Sequence, residues 1–210
     1  MRLLELFSGT GSVKKAVGSQ FEEVVSLDIL PKFEPTECCD ILQWDYTKYP
    51  PGYFDCIWAS PPCTEYSKAK TQGERNLALA DSIVRRTLLI LQYFQPTKWF
   101  IENPQTGLLK RREFMEGIPY ADFDYCMYGF QYRKRTRIWT NVKIQSRLCN
   151  KQCGSFDGVR HKLNCGNGYV SSTKTDSIYS GKQRSDRLVS KEEKYSIPTQ
   201  LIRDLFQSPV

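Results

Sequence analysis

Apolar positions along the chain alternate between two kinds of pattern. Arg2–Phe7 is an apolar run that predicts a strand, and it leads into the glycine-containing turn Ser8-Gly9-Thr10-Gly11. Ser12 then reads as a helix cap ahead of Val13, Ala16 and Val17, which recur at helical spacing. Glu23–Leu30 and Phe54–Ala59 predict a second and a third strand. Residues 77–94 place Leu77, Ala80, Val84, Leu88 and Leu91 along one helical face. Trp99–Ile101 predicts a short buried strand that ends at Glu102-Asn103-Pro104. Strands alternating with helices predict an α/β fold with a doubly wound, mostly parallel sheet, whose ligand sites lie at the carboxyl ends of the strands.

The pattern fades after Arg137-Ile138-Trp139-Thr140-Asn141. Residues 142–194 are rich in Lys, Arg, Ser, Gly and Asn, and predict a small basic insertion instead of a second core. Ile197–Phe206 predicts a closing helix with Pro198 in its first turn. The expected organisation is a main unit over 1–141, the insertion over 142–194 and a returning helix within 195–210.

Composition narrows the class. With 210 residues, 40% of them hydrophobic, the chain can bury the core of one α/β domain, which excludes a disordered tail protein. No run approaches the ~18 consecutive apolar residues of a membrane span. The start, MRLLELFSGTGS, lacks the basic segment and cleavage site of a secretory signal. The eight cysteines are therefore expected to be reduced thiols in an intracellular compartment, free for catalysis or metal binding. The net charge of +7 is localised: residues 132–194 hold 15 basic and 5 acidic side chains, whereas the rest of the chain is slightly acidic. Such asymmetry points to a polyanion, most simply nucleic acid.

Four short elements carry candidate chemistry. Gly9 and Gly11 stand between a first strand and a first helix, where a glycine lets the backbone approach a ligand, and Asp28 ends the next strand, where a carboxylate can grip ribose hydroxyls. Ser60-Pro61-Pro62-Cys63 follows the third strand, and its prolines stiffen a turn that presents a thiol. Glu102-Asn103 puts a carboxylate at another strand end. Arg133, Arg135 and Arg137 alternate along a further strand and so share one face.

In this order the elements resemble the cytosine-C5 DNA methyltransferase family, which has an FxGxG loop, an acidic residue on the second strand, a PC dipeptide, an EN dipeptide and an RxR element. Here they are Phe7-Ser8-Gly9-Thr10-Gly11, Asp28, Pro62-Cys63, Glu102-Asn103 and Arg135-Thr136-Arg137. The resemblance covers residues 1–141 and, more faintly, 195–206, and WASPPCTEYS is similar to short phage-type members. It implies a Rossmann-like fold that binds S-adenosylmethionine through Phe7, Gly9, Thr10 and Gly11, then Asp28 with Ile29, Asp40 with Ile41, and Ser60. Asp45 competes with Asp40 for its place. The resemblance also implies that Cys63 adds to C6 of a flipped-out cytosine while Glu102 acts on N3. Arg135 or Arg137 would hold the base, DNA would be the partner, and the protein would act as a monomer.

The chain departs from the family pattern at Pro104, where Val is usual, and at Arg133, where a Gln usually opens the RxR element and Gln131 lies nearby. It departs again at Tyr195-Ser196-Ile197-Pro198, beside a cofactor contact. Ser60-Pro61-Pro62-Cys63 also resembles the loop of enzymes that methylate exocyclic amines, but Glu102 and the RxR pair would then be unexplained. An RNA methyltransferase of the same fold, or a non-catalytic nucleic-acid-binding relic, is also compatible with these elements. In the insertion, Cys149, Cys153, His161 and Cys165 have spacing suited to tetrahedral zinc, with Cys126 able to replace Cys165 as a ligand; His161 is the chain's one histidine. A structural zinc would explain how a segment so poor in apolar residues folds.

Overall fold

The computed structural model describes residues 1–163 and 189–210, with only the backbone of 191 and 192. Seven strands form one sheet: β1 (Arg2–Leu6), β2 (Glu23–Asp28), β3 (Glu37–Cys38), β4 (Cys56–Ala59), β5 (Lys98–Pro104), β6 (Tyr120–Asp124) and β7 (Arg135–Thr140). Their order is β3-β2-β1-β4-β5-β7-β6. β1 to β5 run parallel, and β7 is antiparallel to both of its neighbours. The order reverses between β1 and β4, so the loops after those strands diverge and open a crevice at their carboxyl ends.

Side-chain alternation builds the two cores. Leu3, Trp58, Phe100 and Ile138 point to one side of the sheet, where α1 (Ser12–Val17) and α4 (Thr199–Gln207) cover them. Phe206 of α4 stacks on Trp58 at 6.3 Å and tilts against Phe100 at 5.0 Å. Leu4, Leu6, Ile57, Ile101 and Trp139 point to the other side, beneath α2 (Leu77–Phe94). α2 has the predicted bounds: Asn76 caps it by accepting from the Leu79 N–H, and Gln95 ends it in a left-handed turn. A five-residue helix, α3 (Lys191–Tyr195), precedes α4.

Several boundaries differ from the sequence reading. β1 stops at Leu6 because Phe7 takes a positive φ of 58°. β2 stops at Asp28, leaving Ile29 and Leu30 exposed. Pro198 is the residue before α4 and not within its first turn. β3 and β6 were not foreseen. β6 carries acidic residues that the ladder pairs with bases: Asp122 lies opposite Arg137 and Asp124 opposite Arg135. Part of the insertion joins the sheet's edge, through a parallel bridge between Phe123 and Arg147. Among the described residues, no helix is long and apolar enough to cross a membrane.

Candidate active site

The loop after β1 is strained into shape. Phe7, Gly9 and Gly11 all take positive φ (58°, 46° and 67°), which costs a glycine nothing and a phenylalanine something. Asp28 braces this loop. Its Oδ2 accepts the Gly9 N–H at 2.8 Å and its Oδ1 accepts the Leu30 N–H at 2.9 Å, leaving lone pairs for a hydroxyl ligand. Thr10 lies in the same loop, its hydroxyl 3.1 Å from that of Ser12. Ile29 offers an apolar surface, 60% exposed, beside Asp28. Behind the loop, the buried Glu5 accepts the Val13 and Lys14 N–H groups that open α1. The Ile197 N–H donates to Ser12 Oγ, so the 195–198 stretch reaches the same loop.

Asp40 follows β3 alongside, where the Cys39 N–H donates to the Asp28 carbonyl. Its Oδ1 accepts from Leu42 in a tight turn. The Ile41 side chain is only 3% exposed and belongs to the α2-side core, so that neighbour can offer a ligand its backbone but not its side chain. Asp45 is engaged elsewhere, capping Thr47 through both its N–H and its hydroxyl.

The loop after β4 is held on three sides. Trp58 Nε1 donates to Ser60 Oγ at 2.9 Å, and Asn103 Nδ2 donates to the Pro61 carbonyl at 2.9 Å. Farther on, the Leu108 N–H donates to the Tyr66 carbonyl. Gly107 permits that approach, because a Cβ there would stand 3.1 Å from the Pro104 carbonyl oxygen and 3.4 Å from that of Tyr66. Cys63 is thus presented at the strand end, partly exposed.

Glu102 lies on the α1/α4 side of β5 and is 6% exposed. The Tyr125 hydroxyl donates to its Oε1 at 3.3 Å, and Lys134 Nζ stands 3.7 Å from the same oxygen. Burial and then the Glu102 charge raise the Cys63 thiol above its ordinary range, while Lys134 pulls it back down. Burial and Glu102 likewise keep Tyr125 a neutral phenol. Cys63 therefore rests as a protonated thiol beside Glu102.

Arg135 and Arg137 are not brought to Glu102. The register sets Glu102 opposite Ile138 and Asn103 opposite Arg137, so both arginines leave β7 on the far side of the sheet. Arg135 is bidentate to the fully buried Asp124, and Arg137 is bidentate to Asp122 and lies over the Tyr120 ring. Lys134 and Tyr125 are the neighbours that the sequence reading missed. A basic residue one place out of the RxR alternation was the available signal for Lys134.

In the insertion, Cys149, Cys153 and His161 come together with Cys126, their ligand atoms all within 4.8 Å of one another. Cys165 lies outside the described residues, and it is Cys126 that completes the described cluster. Burial and the Arg133 charge lower the His161 pKa, favouring neutral imidazole.

No family model matches the chain. A probable DNA (cytosine-5)-methyltransferase of Frog virus 3 (isolate Goorha) is 38% identical over 158 residues, covering 68% of this chain and 72% of that protein. Among solved structures, S. pombe Dnmt2 methyltransferase superposes with a TM-score of 0.51 at 16% identity, over 72% of this chain. A protein described as a DNA modification methyltransferase encoded within an E. coli prophage gives 0.50 at 15% identity, over 69% of this chain. Both likenesses establish the Rossmann-like methyltransferase fold. The chain spans 57% and 49% of the lengths of those two structures.

Proposed function

The chain belongs to the DNA (cytosine-5)-methyltransferase family, and from that premise we propose that it methylates carbon 5 of cytosine in DNA, with Cys63 as the nucleophile and Glu102 as the proton-transfer group. The observation that carries this reading is the convergence of Cys63, Glu102 and Lys134 at the carboxyl ends of β4 and β5, beside the loop that Asp28 braces.

The residues present fit S-adenosylmethionine. The positive-φ loop at Gly9 and Gly11 leaves room for close approach, Asp28 keeps acceptor capacity for ribose hydroxyls, and Ile29 is an exposed apolar face for a purine. When bound, that cofactor supplies an electrophilic methyl group. Ser60, whose hydroxyl is already held by Trp58, borders the crevice between this loop and Cys63.

The protonation state of the resting site shapes the step. Burial and the neighbouring Glu102 make Cys63 a poor thiolate, and Lys134 offsets this only in part. A cytosine whose N3 faces Glu102 removes that obstacle: the Cys63 sulfur bonds to C6 as its proton passes, through Glu102, to N3. The electron pair thus placed on C5 takes up the methyl group. Loss of the C5 proton then expels the Cys63 sulfur, and the N3 proton leaves to restore the ring. Lys134 stabilises the charge on Glu102 through this exchange, and Tyr125 fixes its orientation. A duplex cytosine must leave the stack to reach a thiol at the base of this crevice. Exposed Arg133, Lys143, Arg147, Lys151 and Arg160 are suited to the phosphates alongside, with a reducing intracellular setting to keep Cys63 a thiol. The Cys–His cluster takes no part in this chemistry.

The test is transfer of a tritiated methyl group from S-adenosylmethionine to DNA, followed by nucleoside analysis. We expect 5-methylcytosine, covalent trapping on 5-fluorocytosine DNA, and loss of transfer in Cys63→Ala with cofactor binding preserved. N4-methylcytosine or N6-methyladenine as the product would overturn the proposal in favour of an amino-methylating enzyme.

A further inference from the structure

Residues 146–163 are attached to the sheet with little apolar surface to hold them. Only Cys149 and Ser155 are buried in that span, while Leu148 is 44% and Val159 87% exposed. Hydrogen bonds between β6 and Ser146, Arg147 and Cys149, between Leu163 and Gln131, and from Ser155 Oγ to the Phe130 carbonyl fasten the segment. Such bonds largely exchange for bonds to water on unfolding and do not by themselves order a loop. At the middle of the segment stands a cluster that can.

We propose that Cys126, Cys149, Cys153 and His161 bind one zinc ion, and that this ion clamps residues 146–163 to the sheet directly behind the catalytic carboxylate. The separations among Cys149, Cys153 and His161 match a tetrahedral centre, and Cys126 Sγ lies within 4.8 Å of all three ligand atoms. Zn–S bonds of ~2.3 Å and Zn–N bonds of ~2.0 Å imply S···S edges near ~3.8 Å and S···N edges near ~3.5 Å. Cys149 Sγ lies 3.6 Å from Cys153 Sγ and 3.4 Å from His161 Nε2, and Cys153 Sγ lies 3.3 Å from that same nitrogen. A disulfide would need ~2.05 Å between sulfurs and would leave the imidazole without a purpose. A multi-iron cluster would spread its thiolates over separate irons, farther apart than these.

Local structure supports the same assignment independently. The Lys151 N–H donates to Cys149 Sγ at 3.3 Å, a contact that favours negative charge on the sulfur. A turn closed by Asp157 accepting from Val159 and Arg160 returns the chain so that His161 faces the sulfurs, its ring against Phe156. Cys126 comes from the turn that follows β6, so the ion would join two segments that the sequence separates.

The position of the clamp deepens the functional reading and rests on it. Cys126 follows Tyr125, whose hydroxyl contacts Glu102. The Cys149 N–H donates at 2.8 Å to Asp124 Oδ2, an oxygen that also receives Arg135. Two ligands of the proposed ion are therefore one residue and one hydrogen bond away from the groups that orient the active-site strand ends.

The experiment uses the untagged full chain purified without added metal. Elemental analysis should give one zinc per chain. Replacement by cobalt should produce thiolate-to-cobalt charge-transfer bands and the intense visible bands of a tetrahedral site. Cys126→Ser and Cys153→Ser should each lose that spectrum, and the exposed Cys38→Ser should retain it. Should the ligand variants fail to fold, titrating the wild-type thiols with a mercurial should release one equivalent of zinc, and hydrogen exchange should show amides 146–163 losing protection while cofactor affinity is unchanged. Metal-free protein with those amides protected would overturn the proposal, as would Cys165→Ser losing the metal while Cys126→Ser keeps it. Zinc-loaded protein that transfers no methyl group to DNA would defeat the functional reading and leave the clamp standing. Fully active protein that carries no metal as purified would do the reverse.

Discussion

Glu5 sits on the α1/α4 side of β1 with 2% of its surface exposed, and its two oxygens accept the Val13 and Lys14 N–H groups. Burial outweighs those two bonds and raises its pKa from 4.5 to about 7. Protonated Glu5 therefore favours the folded state. Its contribution to stability is complete below about pH 4.5, declines as the pH rises, and is gone above about pH 7. With one pKa unit worth ~1.4 kcal/mol, the decline between pH 5 and pH 8 is about 2.5 kcal/mol. Glu5→Gln carries no charge at any pH and should abolish this slope, at the cost of one of the two bonds to α1. Urea denaturation of both proteins from pH 5 to pH 8 isolates the term, because every other titrating group cancels in the difference. The wild type minus variant stability should fall by about 2.5 kcal/mol across that range. A difference constant with pH would mean that the two amides fully offset burial and that Glu5 ionises as an ordinary carboxyl.

Other expectations follow from single contacts. Glu102→Gln should lower turnover by roughly 10²–10⁴ while DNA affinity changes little, since the amide keeps the shape but cannot pass a proton; single-turnover kinetics would show it, and undiminished turnover would remove Glu102 from the reaction. Phe206→Ala should cost about 3 kcal/mol in urea denaturation, because the ring fills the space between Trp58, Phe100 and Phe21. Asp124→Asn should cost about 3 kcal/mol by leaving Arg135 without its bidentate partner. Burial acts against the Asp124 charge, but Arg135 and the Cys149 N–H outweigh it and hold the carboxyl below the usual range. This contribution is present at neutral pH and is lost only in acid, below the window in which Glu5 acts, and a wild type minus Asn difference that persisted in strong acid would contradict it.

The parts of this protein legible from sequence are those encoded over a few neighbouring residues. α2 was readable to its bounds because its apolar period and the Asn76 cap are local, and so were the strands that place Gly9, Cys63 and Glu102 at their ends. The two proline residues before Cys63 constrain that turn whatever surrounds it. Pairing was not legible. The side on which Arg135 leaves β7 depends on a register with β5 more than thirty residues away, and a shift of one residue would exchange Lys134 for Arg135 beside Glu102. β6 was invisible because its acidic residues look like a loop until the arginines of β7 are laid against them. The meeting of Cys126 with Cys149, Cys153 and His161 belongs to the same class. Spacing along the chain offers Cys126 only as an alternative to Cys165, which lies outside the described residues; it is the strand edge receiving Arg147 that brings Cys149 beside the end of β6, and proximity between distant segments is a property of the folded sheet alone.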